Sequence, residues 1–315
     1  MSAATSSLPR PTPGNWVSLA ALGVIWGGSF MFVSIALEGY GPVTVAAARC
    51  ALGAAALLIL ARALDRPLPV FDRRLWPHLL PIGALTSAVP FFLIAWGQQH
   101  VPSAFAGLSM AALPLFVLPM AHFFSDEPLS LRRAAGFGVG FLGAVVLLGP
   151  GVLTGGAGGG AETLGRLACL GAALSYAVSS VLVRRCPPVD SVALSAMTLS
   201  IGTALILPLM LFAEGVPRWG GGTPSAAILF LGLVPTGLAA LLRVMVIRSA
   251  GSGFLTLVNY QVPLWSMLFG ALVLSELLPG RFFVALGLIL AGLAISQGRQ
   301  LAALAAQLVP STPRR

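Results

Sequence analysis

The most polar stretch inside any apolar segment of this chain runs from Asn259 to Pro263, with the sequence NYQVP. Its amide and phenol side chains donate and accept hydrogen bonds without carrying a charge. In hydrocarbon such groups are costly unless a neighbour or water satisfies them. Two interpretations follow: Asn259, Tyr260 and Gln261 bind a small polar solute, or they hold neighbouring helices together.

Arg49 lies about seven residues inside another apolar segment, roughly 10 Å from the nearer end at ~1.5 Å per residue. An arginine at that depth usually faces the interior of a helix bundle and has a partner. The partner is either the carboxylate of a substrate or a helix-end carbonyl, which would make Arg49 a structural clamp. Arg243 is also in an apolar segment but lies near its inner end, so its side chain either reaches the lipid headgroups or lines a pore.

Two prolines, Pro114 and Pro263, lie near the middle of their apolar segments. A proline inside a helix has no N–H and clashes with the carbonyl four residues earlier. The carbonyls of Met110 and Asn259 are therefore candidates for being free at mid-membrane, where a free carbonyl should face protein or a wet cavity. The prolines either form a polar ledge and bending point for transport or introduce a kink that improves packing.

Two further pairs of residues are candidates. Trp26 and Tyr176 are aromatic residues inside apolar segments rather than at their ends, which makes them candidates to line a solute cavity. Glu127 and Glu276 each precede an apolar segment. An acid there is favoured by the dipole of the following helix, and the alternative is a gate or a proton-coupling role.

The composition identifies the elements that must position these residues. The chain has 315 residues, of which 57% are hydrophobic and 9% charged, with a mean hydropathy of +0.94. Soluble domains carry about 25% charged residues, and apolar stretches of about 20 residues match the ~30 Å hydrocarbon core of a bilayer. We therefore predict an all-α polytopic membrane protein. Its ten helices are predicted at 16–36, 42–63, 76–97, 103–124, 131–149, 164–184, 191–213, 225–247, 253–274 and 281–299.

The remaining segments are predicted to be a disordered cytoplasmic tail at 1–15, a glycine-rich linker at 150–163 and a cytoplasmic C-terminal tail at 300–315. With the N-terminus in the cytoplasm, thirteen arginines fall on the inner side and three on the outer side. This bias predicts that both termini are cytoplasmic, because positive residues are enriched in cytoplasmic loops. The net charge of +9 is thus topogenic and indicates no nucleic-acid partner. The three cysteines have no metal-ligand spacing, and we predict no metal site.

The two halves of the chain are related by an internal duplication. At an offset of 149 residues, matches occur at a series of proline, acid, arginine and glycine positions: Pro114/Pro263, Glu127/Glu276, Arg132/Arg281, Gly138/Gly287 and Gly143/Gly292. Trp26 and Tyr176 match at an offset of 150. Because each half has five helices, an odd number, the second half must enter the membrane from the opposite side. Two five-helix inverted repeats, 16–149 and 164–299, are typical of transporters with a site between the repeats near the midplane.

Parts of the chain also resemble a known family. "WGGSFMFVSIALEGYGPVTVAAARC" and "QQHVPSAFAGLSMAALPLF", followed by "DEPLSLRRAAGFGVGFLGAVVLLG", are similar to the EamA domain of the drug/metabolite transporter superfamily. The resemblance covers about 16–299 and is looser in the second half, which has "SELLPGR" where an acid-rich turn is common. It implies a ten-helix carrier of the bacterial inner membrane, commonly an exporter of amino acids or other small metabolites, with no cofactor.

Other functional classes fit the sequence less well. A membrane-embedded enzyme needs paired acids or a nucleophile and base at membrane depth, and no Asp or Glu lies deep in any predicted helix. A channel needs no inverted duplication. The expected partners are a small-molecule substrate and the lipid bilayer. The G-x-x-x-G motifs at Gly23/Gly27 and Gly136/Gly140 predict close helix packing, within the chain or in a homodimer.

Overall fold

The computed structural model describes residues 11–70, 72–124, 130–149 and 159–308, without side chains at 121–124, 159, 252–253 and 299–308. In this part of the chain the secondary structure is helical, and we number ten helices in chain order. They are α1 Pro13–Leu37, α2 Pro42–Ala63, α3 Trp76–Gly97, α4 Ser103–Ser109 continued by Leu113–Phe124, α5 Leu131–Leu148, α6 Gly159–Arg185, α7 Ser191–Ala213, α8 Gly222–Gly232 continued by Ala239–Leu255, α9 Val258–Val273 and α10 Gly280–Leu308.

Local chemistry accounts for many of these helix starts. Proline in the first turn needs no N–H partner, and Pro13 and Pro42 begin α1 and α2. The Thr12 hydroxyl accepts a hydrogen bond from the Asn15 N–H at 3.4 Å. Asp190 caps α7 by accepting from the Val192 N–H at 2.9 Å.

The predicted all-α, membrane-spanning fold is confirmed. Nine helices of the described residues are at least 18 residues long and apolar enough to cross a membrane. The tenth is α9, which at 16 residues extends about 24 Å, slightly less than a hydrocarbon core.

Some boundaries differ from those predicted. The predicted break between α8 and α9 lies at 248–252, but α8 continues to Leu255 across a non-helical Gly251 with φ +86°. A glycine adopts this left-handed φ without the penalty of a Cβ. At the other ends, α1 begins at Pro13, and α10 extends to Leu308 rather than ending at 299.

The packing of the helices follows the duplication. Helices at equivalent positions of the two halves pack on each other: α2 on α7, α4 on α9 and α5 on α10. The remaining contacts are mirrored, because α1 packs on α8 and α9 while α6 packs on α3 and α4. We call the face where α1 ends and α2 begins the distal face, and the opposite face the proximal face.

The α5–α10 pair is close-packed through glycines. A Cβ on Gly136 would lie 2.6 Å from the Gly292 carbonyl oxygen, and one on Gly292 would lie 2.5 Å from the Gly140 nitrogen. By contrast, a Cβ on Gly138 would meet nothing within 4 Å. The Gly136/Gly140 motif therefore packs two helices of the same chain, and small residues allow this approach of backbones.

Candidate functional site at the paired π turns

Two helices of the bundle are interrupted by π turns at equivalent positions. In α3 the π turn covers Ala84–Ala88, and in α8 it covers Leu233–Leu238. Adding the duplication offset of 149 to the first residue of the α3 turn gives the first residue of the α8 turn. Single π turns are uncommon and often occur at functional sites. Sequence analysis did not predict either turn.

Each π turn contains a hydroxyl that bonds to its own helix. The Ser87 hydroxyl donates to the Gly83 carbonyl at 2.7 Å, and the Thr236 hydroxyl donates to the Leu231 carbonyl at 2.8 Å. Ser87 and Thr236 are themselves 149 residues apart. This match, a hydroxyl at the same position in both halves, is the sequence signal that could have located the turns.

The first helix of each half contacts the π turn of the other half. The Trp26 indole N–H in α1 donates to the Pro235 carbonyl in α8 at 3.2 Å. The Ser175 hydroxyl in α6 donates to the Leu85 carbonyl in α3 at 2.9 Å. Leu85 and Pro235 are 150 residues apart, as are Trp26 and Tyr176, the residue after Ser175. Both bonds supply a donor to a carbonyl in a widened turn.

The second helix of each half forms another mirrored contact. The Arg49 Nε in α2 donates to the Thr236 hydroxyl at 3.2 Å. In the mirrored position the Ser87 hydroxyl lies 3.3 Å from the Thr198 carbonyl oxygen in α7. Thr198 follows Arg49 by 149 residues, so the contact is conserved between the halves while its chemistry differs.

Arg49 is buried and is held by more than one contact. It is 8% exposed, and its guanidinium carbon lies 4.0 Å from the centroid of the Phe91 ring in α3. Tyr176 packs against the apolar cluster that contains Phe91 and Cys50. A guanidinium over an aromatic face is a favourable cation–π arrangement.

The structure thus brings three of the predicted site residues, Trp26, Arg49 and Tyr176, to one place. Together with Thr236 and Phe91 we call them the π-turn cluster. They come from five helices, α1, α2, α3, α6 and α8, of both halves. Of the two partners proposed for Arg49, the helix-end carbonyl of the clamp interpretation is not the one observed, because Arg49 bonds to a side-chain hydroxyl instead.

The NYQVP segment lies in a different contact surface. A Cβ on Gly23 would be 2.7 Å from the Gln261 Oε1, and one on Gly27 would be 2.4 Å from the Trp265 Cβ. Gln261 therefore packs on α1 about one turn to the proximal side of Trp26. The Tyr260 hydroxyl is buried and has no hydrogen-bond partner among the described residues. A solute-binding role for Asn259, Tyr260 and Gln261 stays a prediction.

The two prolines are buried, but their local structures differ. The 3-10 turn Met110–Ala112 precedes Pro114, and the Leu113 N–H donates to the Met110 carbonyl. The expectation of a free carbonyl is therefore wrong at Met110, because the tighter turn supplies another donor. Pro263 lies within α9 and its carbonyl accepts from the Ser266 hydroxyl at 3.0 Å. The expectation for the Asn259 carbonyl stays a prediction.

Glu276 binds a helix other than the one predicted. Its carboxylate accepts hydrogen bonds from the Ser103 and Ala104 N–H groups, at 2.7 and 3.0 Å. It therefore caps the start of α4, in the other half, rather than the start of α10, because the chain turns back over the α4 N-terminus. Glu127 lies outside the described residues.

Sequence analysis missed an equivalent contact made by Glu214. The Glu214 carboxylate, which follows α7, accepts from the Val43 and Thr44 N–H groups at 2.9 and 2.8 Å and caps α2. Like Glu276, it is an acid of the second half bound to a helix start of the first half. Both contacts lie at the distal face, where an anion is stabilised by the positive end of the helix.

Two cavities are found elsewhere in the described part of the chain. One, of about 470 Å³, opens at the distal face and is lined in part by Tyr40, Glu214, Arg218 and Trp219. The other, of about 210 Å³, is an apolar groove beside Trp76. Neither is lined by the π-turn cluster. The described residues contain no group of three His, Cys, Asp or Glu side chains that could hold a metal.

The inverted pairing of helices and the cross-half contacts define a multi-pass membrane transporter. The model of the EamA-like transporter family matches the chain twice, at residues 14–149 and 163–297. This chain belongs to the EamA-like transporter family. The resemblance to this family is confirmed.

Several known proteins are similar to the chain along most of its length. "Uncharacterized inner membrane transporter YedA" of Escherichia coli (strain K12) is 27% identical over 274 residues, covering 86% of this chain and 87% of the relative. "Probable terminal-alkyne amino-acid exporter" of Streptantibioticus cattleyicolor is 26% identical over 294 residues, covering 88% and 91%. A solved crystal structure, 23% identical, superposes with a TM-score of 0.65 over 92% of this chain and 99% of that chain. That likeness supports the fold alone.

Proposed function

We propose that the chain is a secondary transporter of a bacterial inner membrane that exports an amino acid or another small metabolite. Its termini are cytoplasmic in this proposal, so the distal face is the outer face. The inner-membrane location is supported by the name of the E. coli relative, and the substrate class by the name of the Streptantibioticus cattleyicolor relative. The arginine asymmetry supports the orientation.

The paired π turns are the observation that carries this proposal. Alternating access requires two half-structures that move relative to one another around a fixed site. The π turns of α3 and α8 lie at equivalent positions, and each is bonded to the first and second helices of the opposite half. A π turn interrupts the regular hydrogen-bond pattern of its helix, and hinges are commonly a few residues at such an interruption. We therefore infer that these two turns serve as hinges at the boundary between the halves.

The distal contacts fit one state of such a cycle. Glu214 and Glu276 tie loops of the second half to helix starts of the first half. For the distal face to open, these carboxylates must leave their backbone N–H partners. We therefore infer that the two contacts act as latches, which we call the distal latches.

The proposal is tested by reconstituting the full chain in proteoliposomes loaded with amino acids and small metabolites. Efflux of each solute is measured by mass spectrometry, with and without a pH gradient, against protein-free liposomes. We expect saturable efflux of at least one amino acid or metabolite. Non-saturating efflux of all small solutes would instead indicate a channel, and no efflux would contradict the proposal.

The role of the π-turn cluster is tested in the same assay. Trp26→Phe keeps an aromatic ring but removes the N–H that bonds to Pro235. Trp219→Phe, at a tryptophan that is 77% exposed, is the matched control. We expect slower efflux from Trp26→Phe only; equal rates for both variants and the parent would exclude a role for this hydrogen bond in transport.

A further inference from the structure

Arg49 has no acidic partner in the part of the chain that the structure describes. Its Nε bonds to Thr236, and no other hydrogen bond of the guanidinium is found among these residues. A guanidinium has five N–H donors, so four are left for another acceptor.

The described acids are all engaged or placed elsewhere. Glu162 pairs with Arg166, and Asp190 pairs with Arg66 and Arg248. Glu214 and Glu276 bind helix starts. The others, Glu38, Asp65 and Asp72, lie at or beyond helix ends. A buried arginine without a counter-anion is unfavourable, and such residues in membrane proteins commonly mark a substrate pathway.

The duplicated half provides an internal comparison for the two interpretations of Arg49. At the mirrored position Thr198 makes the contact with its π turn through a backbone carbonyl, 3.3 Å from the Ser87 hydroxyl. A link between the second helix and the π turn therefore needs no guanidinium. If Arg49 were only a clamp, a neutral residue could serve as it does in the mirrored half. The link to the π turn therefore does not by itself account for the charge of Arg49.

The neighbours of Arg49 limit what that task can be. The guanidinium is held in place by Phe91 and Thr236, and Tyr176 packs on the apolar cluster that contains Phe91. The π-turn cluster contributes hydroxyl and aromatic groups but no carboxylate. Such a site can bind a solute that carries an anionic group on an apolar or hydroxylated skeleton. A cationic solute without a carboxylate would be repelled by Arg49.

We propose that the π-turn cluster recognises the carboxylate of the transported solute through the terminal nitrogens of Arg49. The substrate class is then a small organic acid or an amino acid, and amines and carboxamides are excluded. This inference rests on the proposed function, since it names the group by which the exported solute is bound. In this proposal Thr236 is a positioning residue. Its hydroxyl accepts the hydrogen bond of the Arg49 Nε, orients the guanidinium and leaves the terminal nitrogens for the carboxylate.

The test uses the full chain in proteoliposomes loaded with the proteinogenic amino acids and their carboxamides. Efflux of each acid and its amide is compared, after subtraction of the rate in protein-free liposomes. The variants are Arg49→Gln, Arg49→Lys and Arg49→Thr, the last of which copies the residue of the mirrored half. Arg243→Gln is the matched control, because Arg243 is another arginine in an apolar helix but is exposed.

We expect the parent to export at least one acid and not its amide. Arg49→Gln and Arg49→Thr should lower that efflux roughly tenfold or more, mainly through a higher KM, because a charge-assisted hydrogen bond is lost. Arg49→Lys should retain part of the activity, and Arg243→Gln should match the parent. Size-exclusion profiles establish which variants are folded.

Three outcomes overturn the proposal. If the parent exported an amide as fast as the corresponding acid, carboxylate recognition would be contradicted, while the proposed export function would stand. This comparison uses the parent alone, so it does not depend on the folding of any variant. A folded Arg49→Gln or Arg49→Thr that exports the acid like the parent would contradict the role of Arg49. Efflux of no solute at all would contradict the proposed function and this inference with it.

Discussion

Replacing Glu276 by glutamine tests whether the distal latches open during transport. In the structure the Glu276 carboxylate accepts two backbone hydrogen bonds from the start of α4, at 2.7 and 3.0 Å. Glutamine can accept one of them, but its NH₂ group would face the other N–H. The variant therefore loses the negative charge and about one hydrogen bond. Glu38→Gln, an exposed acid at the distal end of α1, is the matched control.

The size of the effect can be worked out from this geometry. A hydrogen bond to a charged group contributes about 1.5–3 kcal/mol, and water screening of the half-exposed carboxylate favours the lower part of this range. A loss of about 2 kcal/mol corresponds to a change of roughly 30-fold in an equilibrium constant. If the contact exists only when the distal face is closed, the population of the open state should rise by about this factor.

The assay measures access to the residue beneath the latch. Ser103 is 0% exposed, so Ser103→Cys is placed in a background in which Cys50, Cys169 and Cys186 are replaced by alanine. Its labelling by a membrane-impermeant maleimide from the distal side should be faster in Glu276→Gln and unchanged in Glu38→Gln. Lower thermal stability without faster labelling would show that Glu276 is only a helix cap, and no change in either would refute the reasoning from the hydrogen bonds.

Three further predictions concern the latch, packing and topology. Glu214→Gln should accelerate maleimide labelling of Thr44→Cys from the distal side. The acceleration should be smaller than that of Ser103→Cys labelling in Glu276→Gln, because Glu214 is more exposed and its charge is better screened. An equal or larger acceleration would contradict this ranking. Gly136→Ala should lower the melting temperature of the purified protein, because forcing a Cβ against the Gly292 carbonyl costs about 1–3 kcal/mol. Gly138→Ala, on the open side of α5, should leave the melting temperature unchanged. Similar melting temperatures for both variants would contradict the packing of α5 on α10. An epitope tag in the 154–166 connector should be accessible from the side opposite to an N-terminal tag, and accessibility from the same side would exclude an inverted second half.

Much of the fold could be predicted because its signals are local. The apolar segment of α2 begins after a Gly-Pro pair and that of α7 after an Asp-Ser pair, and charged or glycine residues follow the end of each. The bounds of both helices are therefore predicted at the residues observed. The α8–α9 boundary was displaced because Gly251 was interpreted as part of a loop, although the helix resumes after it. The residues after Gly251 pack on α1, where the Trp16 and Phe254 ring centroids are 4.8 Å apart, and a local sequence pattern does not contain such a contact.

The candidate site was only partly predictable for a similar reason. Trp26, Arg49 and Tyr176 stood out because aromatic and charged residues at membrane depth need partners. The partners themselves were missed, because Thr236 and Ser87 are ordinary hydroxyl residues until a π turn places them between halves. The donors to these turns come from helices that are distant in sequence, 209 positions for Trp26 and Pro235 and 90 positions for Ser175 and Leu85. No window of local sequence contains that information.

The way in which the two halves differ is itself informative about transport. The mechanical parts are kept in both copies: a π turn, a hydroxyl within it and a bond from the first helix of the opposite half. The charged group is present in only one, since Arg49 has Thr198 as its counterpart. Alternating access needs equivalent motions at both faces, which favours keeping the hinges alike. A small solute has no two-fold symmetry of its own, so a site on the axis between the halves must differ between them to hold the solute in one orientation. Arg49, with Thr198 as its counterpart, is such a difference, and it is one that changes the charge of the site.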